Sequence, residues 1–136
     1  MERVVADPSI LVSAIILRSG HPATIWRAVL EGRIELVICP RLLAELAGVL
    51  ERPKFRRYVG VEEAESFVAE VARYGRRFPD PTDPPSASRD PDDDYLVALT
   101  KAAGARALVS GDRDLTEMLD AGVVVLTPRE VVEQLL

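Results

Sequence analysis

The chain of 136 residues reads as one α/β domain spanning residues 1–136, with a mostly parallel sheet covered by helices on both faces. Three observations predict it. Short apolar runs unbroken by polar positions, such as Val4–Ala6, Ile34–Cys39, Ala107–Ser110 and Val123–Leu126, have the character of strands buried on both faces. They alternate with stretches of helical periodicity, the pattern of crossover connections between parallel strands. Acidic residues follow closely on two of these runs, at the strand ends where open parallel sheets bind ligands.

In chain order, Arg3–Ala6 forms a first strand that runs into Asp7 and Pro8. Ser9 is placed to cap a helix over Ile10–Leu17, which Arg18, Ser19 and Gly20 stop. A second helix is expected over Ala23–Leu30, ended by Gly32, and a strand over Ile34–Cys39, with Cys39 a small buried residue and not a nucleophile. His21 is expected in a surface loop. Pro40 opens a helix whose Leu42, Leu43, Leu46, Val49 and Leu50 form an apolar stripe. Glu45 lies at the border of that stripe, where it can turn inward or keep its head in water. After the run Lys54–Tyr58, an amphipathic helix is expected from Val61 to Tyr74, with Glu62, Glu63 and Glu65 in its first turn. Arg76–Phe78 is a candidate edge strand. The four prolines of Pro79–Ser88 mark an extended surface loop. Asp90–Asp94 open a further helix that Ala103 and Gly104 close, and Ala107–Ser110 is a strand followed by Asp112. Leu115–Leu119 fits a short helix, Val123–Leu126 a strand, and Thr127, Pro128 and Glu130 start a last helix with a capping box.

Composition removes several functions. Net charge is −5, so nucleic acid would have to be bound through a local patch or through metals, not through overall charge. A single cysteine and a single histidine exclude a disulfide framework, a zinc site of Cys and His ligands, and a Ser-His-acid set. There is no phosphate-binding Walker loop and no dinucleotide-binding glycine turn. With no amino-terminal signal pattern and no apolar run of about 18 residues, the expectation is a soluble cytoplasmic protein with no membrane contact.

What remains is acid. Residues 89–115 hold six of the ten aspartates. Asp7 and Asp112 stand at strand ends, Glu45 at a helix border, and Asp92, Asp93 and Asp94 at a helix start. As a structural alternative, these are ordinary caps and turns. Gathered together, such carboxylates repel unless a cation compensates them. An all-oxygen set of four suits Mg²⁺ or Mn²⁺. Helix geometry does not rank Asp93 over Asp92 and Asp94, because successive residues fan out by about 100° and cannot all face one metal.

The segments VVADPS, LLAEL, DPDDDYLVAL and LVSGDRDL, in that order and over the whole chain, resemble the PIN-domain family of metal-dependent ribonucleases, in particular the VapC-like toxins of toxin-antitoxin pairs. The resemblance implies a three-layer α/β/α fold with a sheet of about five strands in the order 3-2-1-4-5. It implies an endoribonuclease whose metal is held by Asp7, Glu45, Asp93 and Asp112. The family's Asp-Pro-x-Asp pattern, met by Asp90, Pro91 and Asp93 with Leu96 and Val97 after it, is what selects Asp93. Ser9, Ser110, Asp92, Asp94 and Asp114 then stand around the metal ligands. The family's usual Asp-Thr-Asn is here Asp7-Pro8-Ser9, which loses an amide able to orient Asp7 or a metal-bound water. Arg56, Arg57, Arg76 and Arg77 are the candidates for RNA backbone contact, with the Lys54–Tyr58 run equally readable as a solvated joint between helices. Proteins of this kind are usually homodimers paired with a small antitoxin. Two other readings remain: a catalytically weak PIN scaffold that binds RNA or a partner, suggested by Ser9, and a phosphoacceptor receiver domain. The receiver needs a lysine after a late strand, where this chain has Thr127 and Pro128.

Overall fold

The computed structural model describes residues 1–82, 94–111 and 122–136. Five strands, β1 (Glu2–Ala6), β2 (Ile34–Ile38), β3 (Arg76–Arg77), β4 (Ala107–Val109) and β5 (Val125–Leu126), form one sheet in the order β3-β2-β1-β4-β5. Every pairing is parallel. Helices α1 (Pro8–Leu17), α2 (Gly20–Leu30), α3 (Pro40–Leu50), α4 (Val61–Tyr74), α5 (Asp94–Ala102) and α6 (Pro128–Leu135) complete a three-layer α/β/α arrangement. The predicted fold class and strand order are those observed.

The centre of the sheet is β1, where Val4, Val5 and Ala6 are fully buried. Val4 faces Leu36 of β2 on one side and Ala107 of β4 on the other. Parallel strands joined by helical crossovers must be apolar on both faces, and these residues supply that. At its outer end, β1 is tied by Arg3. Its guanidinium meets Glu35 at 2.7 Å, directly across the pair, and donates to the Ala103 carbonyl at 2.8 Å, closing α5. The Arg3–Glu35 pair is partly exposed, so its contribution is modest, about 1 kcal/mol or less. The contribution of Arg3 is mainly geometric: one side chain joins β1, β2 and α5.

The helix ends follow local chemistry, with two departures from expectation. Asp7, not Ser9, caps α1: its side chain accepts from the Ser9 backbone N–H, and Pro8 occupies the first helical position. The helix therefore starts two residues earlier than expected. Arg18 ends it in the left-handed region with φ 57. Helix α2 begins at Gly20, three residues early, because Pro22 falls in its first turn, where no backbone N–H is needed. His21 is thus exposed, as expected, but on a helix and not in a loop. The Thr127–Glu130 capping box of α6 is present in both directions. At α4 only half of one forms, with Gly60 N–H donating to the Glu63 carboxylate, since glycine offers no side-chain acceptor.

Three strands, β2, β4 and β5, are shorter than the apolar runs that announce them. β4 stops at Val109 and β5 is only Val125–Leu126, although the Val124 carbonyl already accepts from Leu108 N–H at 2.9 Å. The expected helix over Leu115–Leu119, most of the proline-rich loop and the Asp90–Asp93 helix start lie outside the described residues. No helix among the described residues is long and apolar enough to cross a membrane.

Two glycines test this packing in opposite directions. Gly75, between α4 and β3, has ordinary extended dihedrals, but a Cβ there would lie 2.8 Å from both Ile38 Cδ1 and the Val71 carbonyl oxygen. Gly75→Ala is expected to destabilise by about 1–3 kcal/mol. Gly48, inside α3 and exposed, has nothing within 4 Å of that position, so Gly48→Ala should stabilise by ~0.5–1 kcal/mol. Urea denaturation checks both. A neutral Gly75→Ala would mean that Ile38 and the α4–β3 turn yield freely.

Candidate metal and catalytic site

All five strands run the same way, so their carboxyl ends share one edge. Strand order reverses between β1 and β4, with β2 and β3 lying on one side and β5 on the other. At such a switch point the two neighbouring crossovers leave in opposite directions and open a crevice. Asp7 stands there as the first residue after β1. Its backbone N–H extends the sheet to the Val109 carbonyl at 2.9 Å, and its carboxylate is held at both oxygens. Oδ1 accepts from Ser9 N–H at 3.0 Å, and Oδ2 accepts from the buried Ser110 hydroxyl at 3.2 Å. Only 7% of Asp7 is exposed. A carboxylate this buried is costly without donors. Two neutral donors, one on each oxygen, hold its direction.

Glu45 approaches from α3. Its Oε1 accepts from the Tyr95 hydroxyl at 2.8 Å, so its carboxylate is turned toward α5. Of the two readings weighed for this border residue, the inward one describes its geometry. Tyr95 is 1% exposed, and burial foremost, then the hydrogen bond and charge of Glu45, push its hydroxyl well above the usual tyrosine range. It is therefore the donor of the pair at neutral pH. The Arg41 guanidinium lies 4.2 Å from the centre of the Tyr95 ring, within cation–π range, and Arg41 precedes Glu45 by one helical turn. The start of α3 is capped from a distance: the Asp80 carboxylate accepts from Arg41 N–H at 2.8 Å. Cys39, fully buried just before α3, has its thiol pushed up to about 11, mainly by burial. That agrees with the expected inert structural residue.

Of the predicted acids, Asp7 and Glu45 are thus fixed in described structure, and Asp94 is buried at the start of α5 with 6% exposure. Asp92, Asp93, Asp112 and Asp114 lie outside the described residues. Among the described residues, no group of three or more His, Cys, Asp or Glu side chains is close enough to hold a metal. Ser110 touches Asp7 through its hydroxyl. Ser9 does so through its backbone, and its own side chain is exposed.

The four arginines divide. Arg77 pairs in register with Ile38, at the edge where Asp7 stands, and both Arg76 and Arg77 are exposed. Arg56 and Arg57 follow the far end of α3, whose 11 residues rise about 16 Å away from that edge. Arg56 donates to the Leu50 and Val59 carbonyls at 2.8 and 3.0 Å and so closes α3. Arg57 is exposed. A cleft of about 610 Å³ lined by Thr100, Lys101, Arg106 and Val123 lies at the other end of α5, at the opposite edge of the sheet.

Sequence reading passed over Tyr95, Arg41 and Asp80. Tyr95 sits in an apolar helical run and reads as core, but a buried tyrosine hydroxyl requires a polar partner, which was the signal available. Arg41 was signalled by its spacing of four residues from Glu45.

Known proteins are similar to this chain in sequence and in fold. A family profile described as the PIN domain matches residues 3–114. The protein MJ1680 of Methanocaldococcus jannaschii is 26% identical over 148 aligned positions, covering 97% of this chain and 90% of that protein. The fold is similar to that of VapBC2 from Rickettsia felis, solved bound to a DNA fragment from its promoter (TM-score 0.65, 13% identity, 92% of this chain and 98% of that one). It is equally similar to that of PAE2754 from Pyrobaculum aerophilum (TM-score 0.65, 14% identity, 99% of this chain and 89% of that one).

Because Asp7 both caps α1 and anchors Ser110, its replacements should separate hydrogen bonding from charge. Asn keeps an acceptor for Ser9 N–H and a group that can meet the Ser110 hydroxyl, whereas Ala keeps neither. In EDTA, Asp7→Ala is expected to be about 1–3 kcal/mol less stable than Asp7→Asn. Equal denaturation midpoints for the two variants would show that the cap and the Ser110 bond do not support the fold.

Proposed function

Since the chain belongs to the PIN-domain family, of which hydrolytic nucleases are the general rule, we propose that it is a metal-dependent endoribonuclease, the toxin of a toxin-antitoxin pair. In this reading Asp7, Glu45, Asp93 and Asp112 hold Mg²⁺ or Mn²⁺. The observation that carries it is Asp7: a nearly buried carboxylate at the switch point, aimed by donors on both oxygens. The donor set is all oxygen, which suits a hard cation. When bound, the ion supplies a water of lowered pKa and stabilises charge on the scissile phosphate.

The chain's own residues do the rest. Ser110 and the Ser9 backbone fix the direction of Asp7. Tyr95 fixes Glu45. The missing family amide at Ser9 does not leave Asp7 unsupported, which favours an enzyme over a silent scaffold. Arg76 and Arg77, exposed beside the carboxylate edge, would meet RNA phosphates as the backbone crosses the site. Arg57 would extend that contact, and Arg56 would join it only through whatever capacity its bonds to Leu50 and Val59 leave. No protein nucleophile is required. Asp92, Asp94 and Asp114 would orient the ligands or their waters. A small antitoxin as partner is supported by the likeness to the Rickettsia felis VapBC2 fold, and a homodimer in the cytoplasm completes the proposal.

Saturating Mn²⁺ should raise the melting temperature of the metal-free protein, since a ligand at about 100 times its Kd adds ~2.7 kcal/mol. Asp7→Asn should remove the shift, and RNA cleavage with it. A shift of the same size in that variant would place the ion elsewhere. Within the acidic segment, Asp93→Asn should lower cleavage by orders of magnitude, while Asp92→Asn and Asp94→Asn cost far less. An inactive Asp94→Asn with a working Asp93→Asn would move the ligand by one residue.

A further inference from the structure

The link between Glu45 and Tyr95 spans 50 residues of sequence. It joins α3 to α5, the helix that packs on β1 and β4, the strands that end in Asp7 and Ser110. Resting on the metal-site reading above, we propose that Tyr95 is a positioning residue that holds the Glu45 carboxylate in its metal-binding orientation. Three features point this way. The ring is 1% exposed, the second residue of its helix, and thus immobile. Its hydroxyl reaches Glu45 Oε1 at 2.8 Å and takes one of roughly four acceptor positions that a carboxylate offers, so it aims the group without filling it. On the other side, the Arg41 guanidinium covers the ring at 4.2 Å, and Arg41 is itself held by Asp80 through its backbone N–H.

A half-buried glutamate has three side-chain torsions to order, and its natural course at a helix border is to turn its head to water. The Tyr95 hydroxyl counters that. Partners of metal ligands typically change metal affinity by about 10–100-fold when removed. A tyrosine that merely packs would need a hydrogen-bond partner too, but its hydroxyl would affect stability and not the metal.

The test is a double-mutant cycle read as Mn²⁺ affinity, by titration calorimetry or by the electron paramagnetic resonance of free Mn²⁺. The proteins are wild type, Tyr95→Phe, Glu45→Ala and the double variant, Ala being chosen because Gln would keep an oxygen that accepts from Tyr95. Tyr95→Phe keeps the ring and the Arg41 contact, and melting in EDTA confirms that each variant is folded. The expected result is a Kd raised about tenfold or more by Tyr95→Phe in the wild-type background, with no further change in the Glu45→Ala background. An unchanged Kd in Tyr95→Phe, or an equal loss in both backgrounds, overturns the positioning role while leaving the metal site standing. Wild-type protein that binds no Mn²⁺ overturns the metal-site reading and the positioning role with it.

Discussion

The enclosure of β1 is the constraint on which the rest of the structure depends. From Val4 to Ala6 the strand is paired on both edges and covered on both faces, so these residues must be apolar, and the next polar side chain can appear only where the strand ends. That residue is Asp7. Because β2 and β4 flank β1 and the chain leaves toward them by crossovers in opposite directions, the end of β1 opens onto the crevice of the sheet. Core and site are therefore consequences of one arrangement. Changing the order of the strands would move Asp7 away from Ser110 without altering a single local propensity.

A carboxylate placed there would be a liability in an ordinary core. It is tolerated because Ser9 N–H and the Ser110 hydroxyl meet it, each from a different segment. The same Asp7 caps α1, so a residue read as a metal ligand also starts the first helix. Dual use of this kind explains why the strand-to-helix turn is short and contains Pro8 at the first helical position, where its missing N–H costs nothing. Asp94, buried at the start of α5, adds a second acid with little exposure near the beginning of a helix, where the dipole favours negative charge.

The polar contacts around α3 form a chain of supports. Asp80 caps its first turn from beyond β3, Arg41 lies on the Tyr95 ring, and Tyr95 holds Glu45. Each link joins residues distant in sequence except the one turn between Arg41 and Glu45. Arg56 closes the other end of the same helix through the Leu50 carbonyl. Helix α3 is thus fixed at both ends by side chains from outside it, which matters for a helix that presents Glu45 to the edge of the sheet.

The α/β class, the strand-helix alternation and most helix ends were legible in the sequence, because they follow from short-range causes: apolar runs such as Val4–Ala6, the capping residues Thr127 and Glu130, and glycines beyond helix ends. Asp7, Glu45 and Asp112 could be nominated for the same reason, from strand ends and a helix border, whereas only the family's Asp-Pro-x-Asp pattern selects Asp93 among its neighbours. Folding in three dimensions assigned what depends on partners far apart in the chain. The second oxygen of Asp7 is met by Ser110, 103 residues away, and Glu45 turns inward because a tyrosine 50 residues away offers a donor. Arg56 and Arg77 look alike in composition, yet one closes a helix and the other rims the carboxylate edge. Periodicity records which face of an element is apolar, but hydrogen bonds are directional and short, so they form only between groups that the completed sheet brings within about 3 Å of each other.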